Sequence, residues 1–298
     1  MRKSSIFLLA LGLSVFVVFS VYTESVTVSY VDGTLEVKTG DGWNEVYIGD
    51  SIPTDAVVRL GNDSIAQLEG ANVSLTLSRP GSYVLGRLLK EKQEMESWGV
   101  ASLVGNKISN MLNSQRSRAS AVMGVRGAKA EDSTDVEWVE DEDNYLAEGK
   151  SFIEKARYDE AIQILQEGLR DADEEMKPQY FYFLGVANMG NGRPYIALKY
   201  FNRIKPDPYF EYFDGYVVLK GKLLIESFAF KEAKRLFDLY LREAPEGNAA
   251  QSIYFLKGIA LKGMGDISAA KVAFERAYTM NPSTGIGKKA KEMLASNL

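Results

Sequence analysis

The densest set of chemically competent side chains in the sequence is an acidic run. Eight of the thirteen residues 131–143 are Asp or Glu. Carboxylates at such density suit a hard cation, but a calcium loop also needs Gly at its sixth position and Glu at its twelfth. Counted from Asp141, those places hold Leu146 and Phe152. The run therefore reads as a solvated acidic joint whose end favours the N-terminus of the helix that follows. A second set is aromatic. Trp43, Tyr47 and Tyr83 offer flat faces on which sugar rings stack. The remaining chemistry is set by what is missing, because the chain has no cysteine and no histidine. No disulfide, thiolate nucleophile, Ser–His relay or His-held zinc or haem is available to it. Paired carboxylates remain available for catalysis, but no pair is singled out by its surroundings, and the chain is expected to be non-enzymatic, with no metal and no cofactor.

These residues need elements to position them, and the clearest elements come from a repeat. Ala161, Ala197, Ala233 and Ala270 lie 36, 36 and 37 residues apart. Four residues after each comes a bulky residue: Leu165, Phe201, Phe237 and Phe274. Twelve residues before each stands a glycine: Gly149, Gly185, Gly221 and Gly258. Sixteen before each is Tyr145, Phe181, Val217 or Tyr254. A steady period of this length marks stacked units, here pairs of amphipathic helices. The small residues let the two helix backbones approach, and the bulky ones fill the space beside them.

This pattern resembles the tetratricopeptide repeat, and "YFLKGIALKGMGDISAAKVAF…NP" (254–282) carries it best. The resemblance covers residues 142–282, with units at 142–175, 178–211, 214–247 and 251–284. A last helix, "GKKAKEMLASNL", would cap the stack with a polar face. The period exceeds the family's usual ~34 residues, which places extra residues in the loops. Asn188 replaces an apolar residue, Pro194 sits in a turn, and "PDPYFEYFDGY" (206–216) holds more aromatics than a plain connection needs. Those aromatics either cover a groove edge or form a satellite core. The resemblance implies that the first helix of each unit lines a concave face for an extended peptide or a neighbouring domain. The family's groove positions fall on Tyr182, Val186 and Met189, on Val218, Lys222 and Glu226, and on Phe255, Ile259 and Lys262. Aromatics flanked by lysines suit an acidic or carboxylate-ended peptide.

Upstream the period changes to two. Val26, Val28 and Tyr30 are read as one face of a strand, Leu35 and Val37 as another, and Val73, Leu75 and Leu77 as a third. Turn pairs such as Asp32-Gly33, Gly49-Asp50 and Pro80-Gly81 separate them, so a small antiparallel β domain is expected. The stretch around Trp43, Gly49, Asp50, Thr54, Ser64, Ala66, Leu68, Asn72, Val73, Leu75 and Leu77 resembles the FecR-like domain, and Val125, Arg126 and Gly127 resemble its closing strand. That resemblance covers residues 26–130 and implies sensing or ligand binding in a cell envelope. It is interrupted by a helix-favouring excursion, 87–118, in which Leu88, Met95, Trp98, Leu103, Ile108 and Met111 share a face. The excursion either packs on the β domain or meets a partner or membrane surface.

At the N-terminus, Arg2 and Lys3 precede an apolar run from Ile6 to Val21. Residues 1–25 read as a signal peptide, with an uncleaved anchor through 6–21 as the alternative. Loss of the two cations would take the net charge from −5 to −7, a poor match for nucleic acid. The sequence thus predicts a multidomain chain: an N-terminal all-β FecR-like domain, an acidic linker at 131–143, and an all-α tetratricopeptide solenoid at 144–298. The expected function is an exported adaptor in the periplasm or cell envelope that holds a protein partner on the concave face. The alternative is a cell-wall or polysaccharide-binding protein acting through Trp43, Tyr47 and Tyr83.

Overall fold

A computed structural model describes residues 24–97 and 142–296. The signal segment, the excursion beyond residue 97, the Val125-Arg126-Gly127 motif and the acidic run up to Asp141 lie outside the described residues.

The first described region is all antiparallel β. Strands β1 (Ser25–Asp32), β4 (Ser51–Pro53), β6 (Ile65–Glu69) and β7 (Ser74–Leu77) form one sheet in the order β4-β1-β6-β7. Strands β2 (Leu35–Thr39), β3 (Gly42–Glu45), β5 (Val57–Leu60) and β8 (Gly81–Val84) form another, in the order β3-β2-β5-β8. Alternation sends one face of each sheet into a shared core, so Val26, Val28, Ile52, Ala66, Leu68, Leu75 and Leu77 are buried with Leu35, Val58 and Leu60.

Tyr30 does not share the face of Val26 and Val28. The register shifts between Val28 and Tyr30, so Val28 faces Leu68 but Tyr30 faces Gln67. A bulge adds one residue to a strand and turns every later side chain over. Val31, opposite Ala66, takes the inner face in its place.

Helix α1 (Leu85–Ser97) follows β8 and lies against β7 and β8. Leu85, Leu88 and Met95 are its buried residues among those described. The described part of the excursion therefore packs on the β region.

The second region is helical: α2 (Glu142–Glu154) with α3 (Tyr158–Asp171), α4 (Lys177–Gly190) with α5 (Pro194–Asn202), α6 (Phe213–Glu226) with α7 (Phe230–Glu243), α8 (Ala250–Gly263) with α9 (Ile267–Met280), then α10 (Gly285–Ala295). The four repeat alanines are fully buried. A Cβ placed on Gly149, Gly185, Gly221 or Gly258 would come under 3.0 Å from Leu165, Phe201, Phe237 or Phe274 respectively. Each glycine thus meets the bulky residue sixteen positions on, and the same close approach recurs in all four pairs. The turns repeat as well. Ala156 (φ 56°), Gly192 (φ 70°), Phe228 (φ 58°) and Gly265 (φ 80°) occupy equivalent places in the left-handed region. Glycine takes that conformation freely, whereas Ala and Phe hold it against steric cost.

The departures in the second pair have local explanations. Asn188 is buried and donates its amide N–H to the Leu184 carbonyl at 2.8 Å, which satisfies it inside the helix. Pro194 opens α5, where its missing N–H costs nothing.

The two regions are packed together, and their buried residues form one cluster. Tyr30, turned outward by the bulge, meets the ring of Tyr195 of α5 with centroids 4.1 Å apart and the planes tilted by 32°. Lys199 reaches Asp32 at 2.5 Å, Ser78 donates to Ser227 at 3.0 Å, and Arg79 lies 3.6 Å from Glu232.

Candidate protein-interaction surfaces

The nine groove positions lie on the first helices of units two to four, and most are closed. Tyr182, Val186, Val218, Phe255 and Ile259 are all buried, at 2% exposure or less. These five side chains pack inside the folded chain. Met189, Lys222, Glu226 and Lys262 are half-buried. Lys222 and Glu226 form a pair at 3.4 Å, one turn apart on α6.

What closes the second unit is its own connection. Tyr212 stacks on Tyr182 at 4.9 Å and 18°, and Phe210 meets Tyr182 edge-on at 6.1 Å. Lys150 donates to the Tyr212 hydroxyl at 2.9 Å and lies over the Phe183 ring. The aromatic connection is thus a satellite core built over Tyr182, while Tyr209 within it stays 95% exposed. Burial pushes the Tyr182 hydroxyl far above its ordinary range, so it stays neutral. At the third and fourth units the β region approaches. Lys92 borders one small cavity with Glu226 and Leu223, and the Glu94 charge acts on Lys262. Desolvation draws the Lys262 amine down and Glu94 partly restores it.

The three aromatics of the β region do not form one platform. Residues directly opposite in an antiparallel pair share a face. Trp43 faces Lys38, two residues from Glu36, which faces Arg59. Tyr83 faces Val58, which is fully buried, so Trp43 and Tyr83 lie on opposite faces of one sheet. The Arg59 guanidinium covers Trp43 at 4.4 Å and is gripped by both carboxylate oxygens of Glu36, at 2.7 and 2.8 Å. Tyr83 donates to the Arg79 carbonyl at 2.5 Å, and burial raises its hydroxyl. Tyr47 is 61% exposed and donates to Glu45 at 3.1 Å.

Openings lie instead on the outer face, where the second helices of successive units flank the first helix of the later one. Between α7 and α9, over α8, is a cleft of about 520 Å³. Tyr254, Leu261, Val272 and Ala273 give it an apolar lining, and Val272 is 64% exposed. The same lining carries Lys234, Lys257 and Arg276 against the single carboxylate of Asp266. From just outside, Asp238 receives Lys234 and Lys257, each at 2.6 Å, and Glu246 receives Arg276. Burial works against ionisation of Asp238, but the two lysines outweigh it and hold its carboxyl below the usual range. Between α5 and α7, over α6, is the equivalent furrow, of about 330 Å³. Asn202, Lys220, Leu224 and Arg235 are among its lining. Sequence reasoning passed over both openings. A signal was present, because Lys220 and Lys257 each directly precede a repeat glycine, where the first two units have Glu148 and Leu184.

Residues 251–284 match the tetratricopeptide repeat family. That segment is the fourth unit, α8 and α9, with its outer cleft. No curated protein matches the sequence. Among solved structures, a MamA RS-1 ArsTM double mutant is 20% identical, with 52% of this chain and 92% of that one covered and a TM-score of 0.43. MamA from Desulfovibrio magneticus RS-1, residues 41 to the end, is 19% identical over the same shares, with a TM-score of 0.42. The apo form of RapI is 17% identical over 51% of this chain and 46% of its own, with a TM-score of 0.43.

Among the described residues, no group of three or more Asp or Glu is placed to hold a metal ion, and no helix is long and apolar enough to cross a membrane. A tetratricopeptide unit works through its surface, so this chain's helical half points to protein partners.

Proposed function

We propose that the chain is a non-enzymatic scaffold that binds a protein partner through the outer cleft of its fourth repeat. One observation carries this reading: five of the nine positions expected to face a peptide are buried, while the cleft over α8 is open and largely apolar. The occupant is a peptide segment with an aliphatic side chain and a carboxylate. The aliphatic group fits against Leu261, Val272 and Ala273, and the acid would share Lys234, Lys257 and Arg276 with Asp238 and Glu246, which already pair with them. The half-buried Met189, Lys222, Glu226 and Lys262 form the rim of the closed face and contribute little.

The β region acts as a FecR-like sensing or ligand-binding module clamped to the stack, and residues 1–25 export the chain to the cell envelope. The clamp consists of Tyr30, Asp32, Ser78 and Arg79, which contact Tyr195, Lys199, Ser227 and Glu232 of units two and three.

The test places a photo-crosslinker at position 272 of the full chain in envelope extract. The adduct should disappear in Lys257→Ala/Arg276→Ala and persist in Met189→Ala/Lys262→Ala, with both variants checked for native helicity. An adduct lost with the second pair and kept with the first would return the partner to the concave face.

A further inference from the structure

The two outer furrows are built from equivalent residues and differ at one decisive side chain. Lys220 and Lys257 each stand thirteen residues before a repeat alanine. On the flanking helix, five residues after the preceding repeat alanine, Asp238 meets Lys257 at 2.6 Å, while Asn202 holds the same place beside Lys220. Lys220 has no ion pair within 4.0 Å among the described residues. Its Nζ donates to the Phe201 carbonyl at 3.3 Å and to the Tyr216 hydroxyl oxygen at 3.1 Å. Both acceptors are uncharged oxygens, so neither bond holds the amine in its charged form. Burial draws this amine down to about 8, with the Glu232 charge opposing. The groups facing it are Tyr216 on its own helix, Glu232 and Arg235 on α7, and the uncharged Asn202 and Pro206 on the other wall. Glu232 is itself engaged by Arg79 of the β region.

We propose that this furrow is a covalent capture site in which Lys220 forms an imine with small aldehydes that carry an acid group. The Nζ lone pair adds to the carbonyl carbon, and the two amine hydrogens leave with the carbonyl oxygen as water. No oxidant or reductant takes part, and the adduct is reversible. A desolvated lysine is the side chain suited to this step. Arg235, exposed on the rim, supplies the charge for the acid group. About 330 Å³ admits a compound of a few non-hydrogen atoms. The site is separate from the cleft over α8 and does not depend on how that cleft is used.

The test treats the full chain with glyoxylate and cyanoborohydride at pH 7.5, which reduces any imine to a stable secondary amine, and maps adducts by mass spectrometry. Lys220 should be labelled at least ~10-fold faster than Lys257, because burial favours its uncharged form and Lys257 is held in an ion pair with Asp238. Asn202→Asp supplies the carboxylate that the other furrow already has and should slow Lys220 by ~10-fold, while Asp238→Asn should speed Lys257. Arg235→Ala should slow capture of glyoxylate but leave that of neutral acetaldehyde unchanged. Circular dichroism and melting temperature confirm that each variant is folded. Labelling of Lys220 no faster than Lys257, or indifferent to Asn202→Asp, overturns the capture site. Equal effects of Arg235→Ala on both aldehydes overturn the preference for an acid group.

Discussion

The two faces of the helical stack have been used differently. Five of the nine positions that family resemblance turns toward a concave groove are taken up inside the chain: Tyr182 is covered by its own downstream connection, Phe255 packs on Phe274 of its own unit, and α1 brings Lys92 beside Glu226 and the Glu94 charge toward Lys262. Among the described residues the outer face has openings over α6 and over α8, each lined in part by a lysine of that first helix. The contrast shows that a repeat fixes where backbones approach but not which surface is left free. That depends on what the rest of the chain covers.

Predictions follow in order of expected effect. The largest concerns the closed face. Phe255→Ala should cost ~3–5 kcal/mol of folding stability, as for a fully buried aromatic, whereas Val272→Ser on the open cleft should change it by less than ~0.5 kcal/mol. Chemical denaturation of the two variants measures both, and similar losses would erase the distinction between the faces.

The next sharpens the outer face itself. Asp238→Asn leaves Lys234 and Lys257 without their shared carboxylate and should cost ~1–2 kcal/mol at pH 7, discounted because the pair is partly exposed. The folded-state pKa of Asp238 lies below its unfolded value. Its contribution is therefore present above the unfolded pKa and lost as pH falls through the folded one. The gap between wild type and variant should close on acidification, as melting curves across acidic pH would show.

Lys220→Met should act in the opposite direction. The wild type keeps a cation in a desolvated place at pH 7, and removing it should add ~1–2 kcal/mol. Because burial lowers this pKa, the unfolded chain binds more protons between the two values, so wild-type stability rises as pH rises through about 8. The advantage of the variant should shrink over that window. A gain that does not change with pH would mean that the amine is not desolvated.

The smallest effect tests the clamp. Tyr195→Ala removes the ring that packs against Tyr30 and should cost ~1 kcal/mol. It should also raise amide exchange in β6 and β7 relative to α8 and α9.

The sequence made the scaffold readable because close helix approach demands specific residue types. A glycine facing a bulky residue sixteen positions on can be found by eye, and the structure shows that contact in all four pairs. Alternation likewise revealed the β region, but not the bulge at Val28/Tyr30, because one extra residue leaves no mark in composition. The fate of the groove was illegible for a different reason. Tyr212 covers Tyr182 from 30 positions away, and Ser78 meets Ser227 across 149 positions. Periodicity within a repeat carries no information about such partners. The furrow lysines lie between these cases. Lys220 beside Asn202, and Lys257 beside Asp238, can be read off once the units are aligned, but only a structure shows that the first amine has no ion pair among the described residues.

The most direct test of the closed and open faces exploits the natural lack of cysteine. Val218→Cys and Val272→Cys are the same substitution at a residue 1% exposed and one 64% exposed, and each variant carries a single thiol. The rate of labelling by a small maleimide in native buffer should be near that of a free thiol for Val272→Cys and at least ~100-fold lower for Val218→Cys, because it requires opening of the structure. Equal rates would mean that the first-helix face is open to solvent and that a partner can bind there after all.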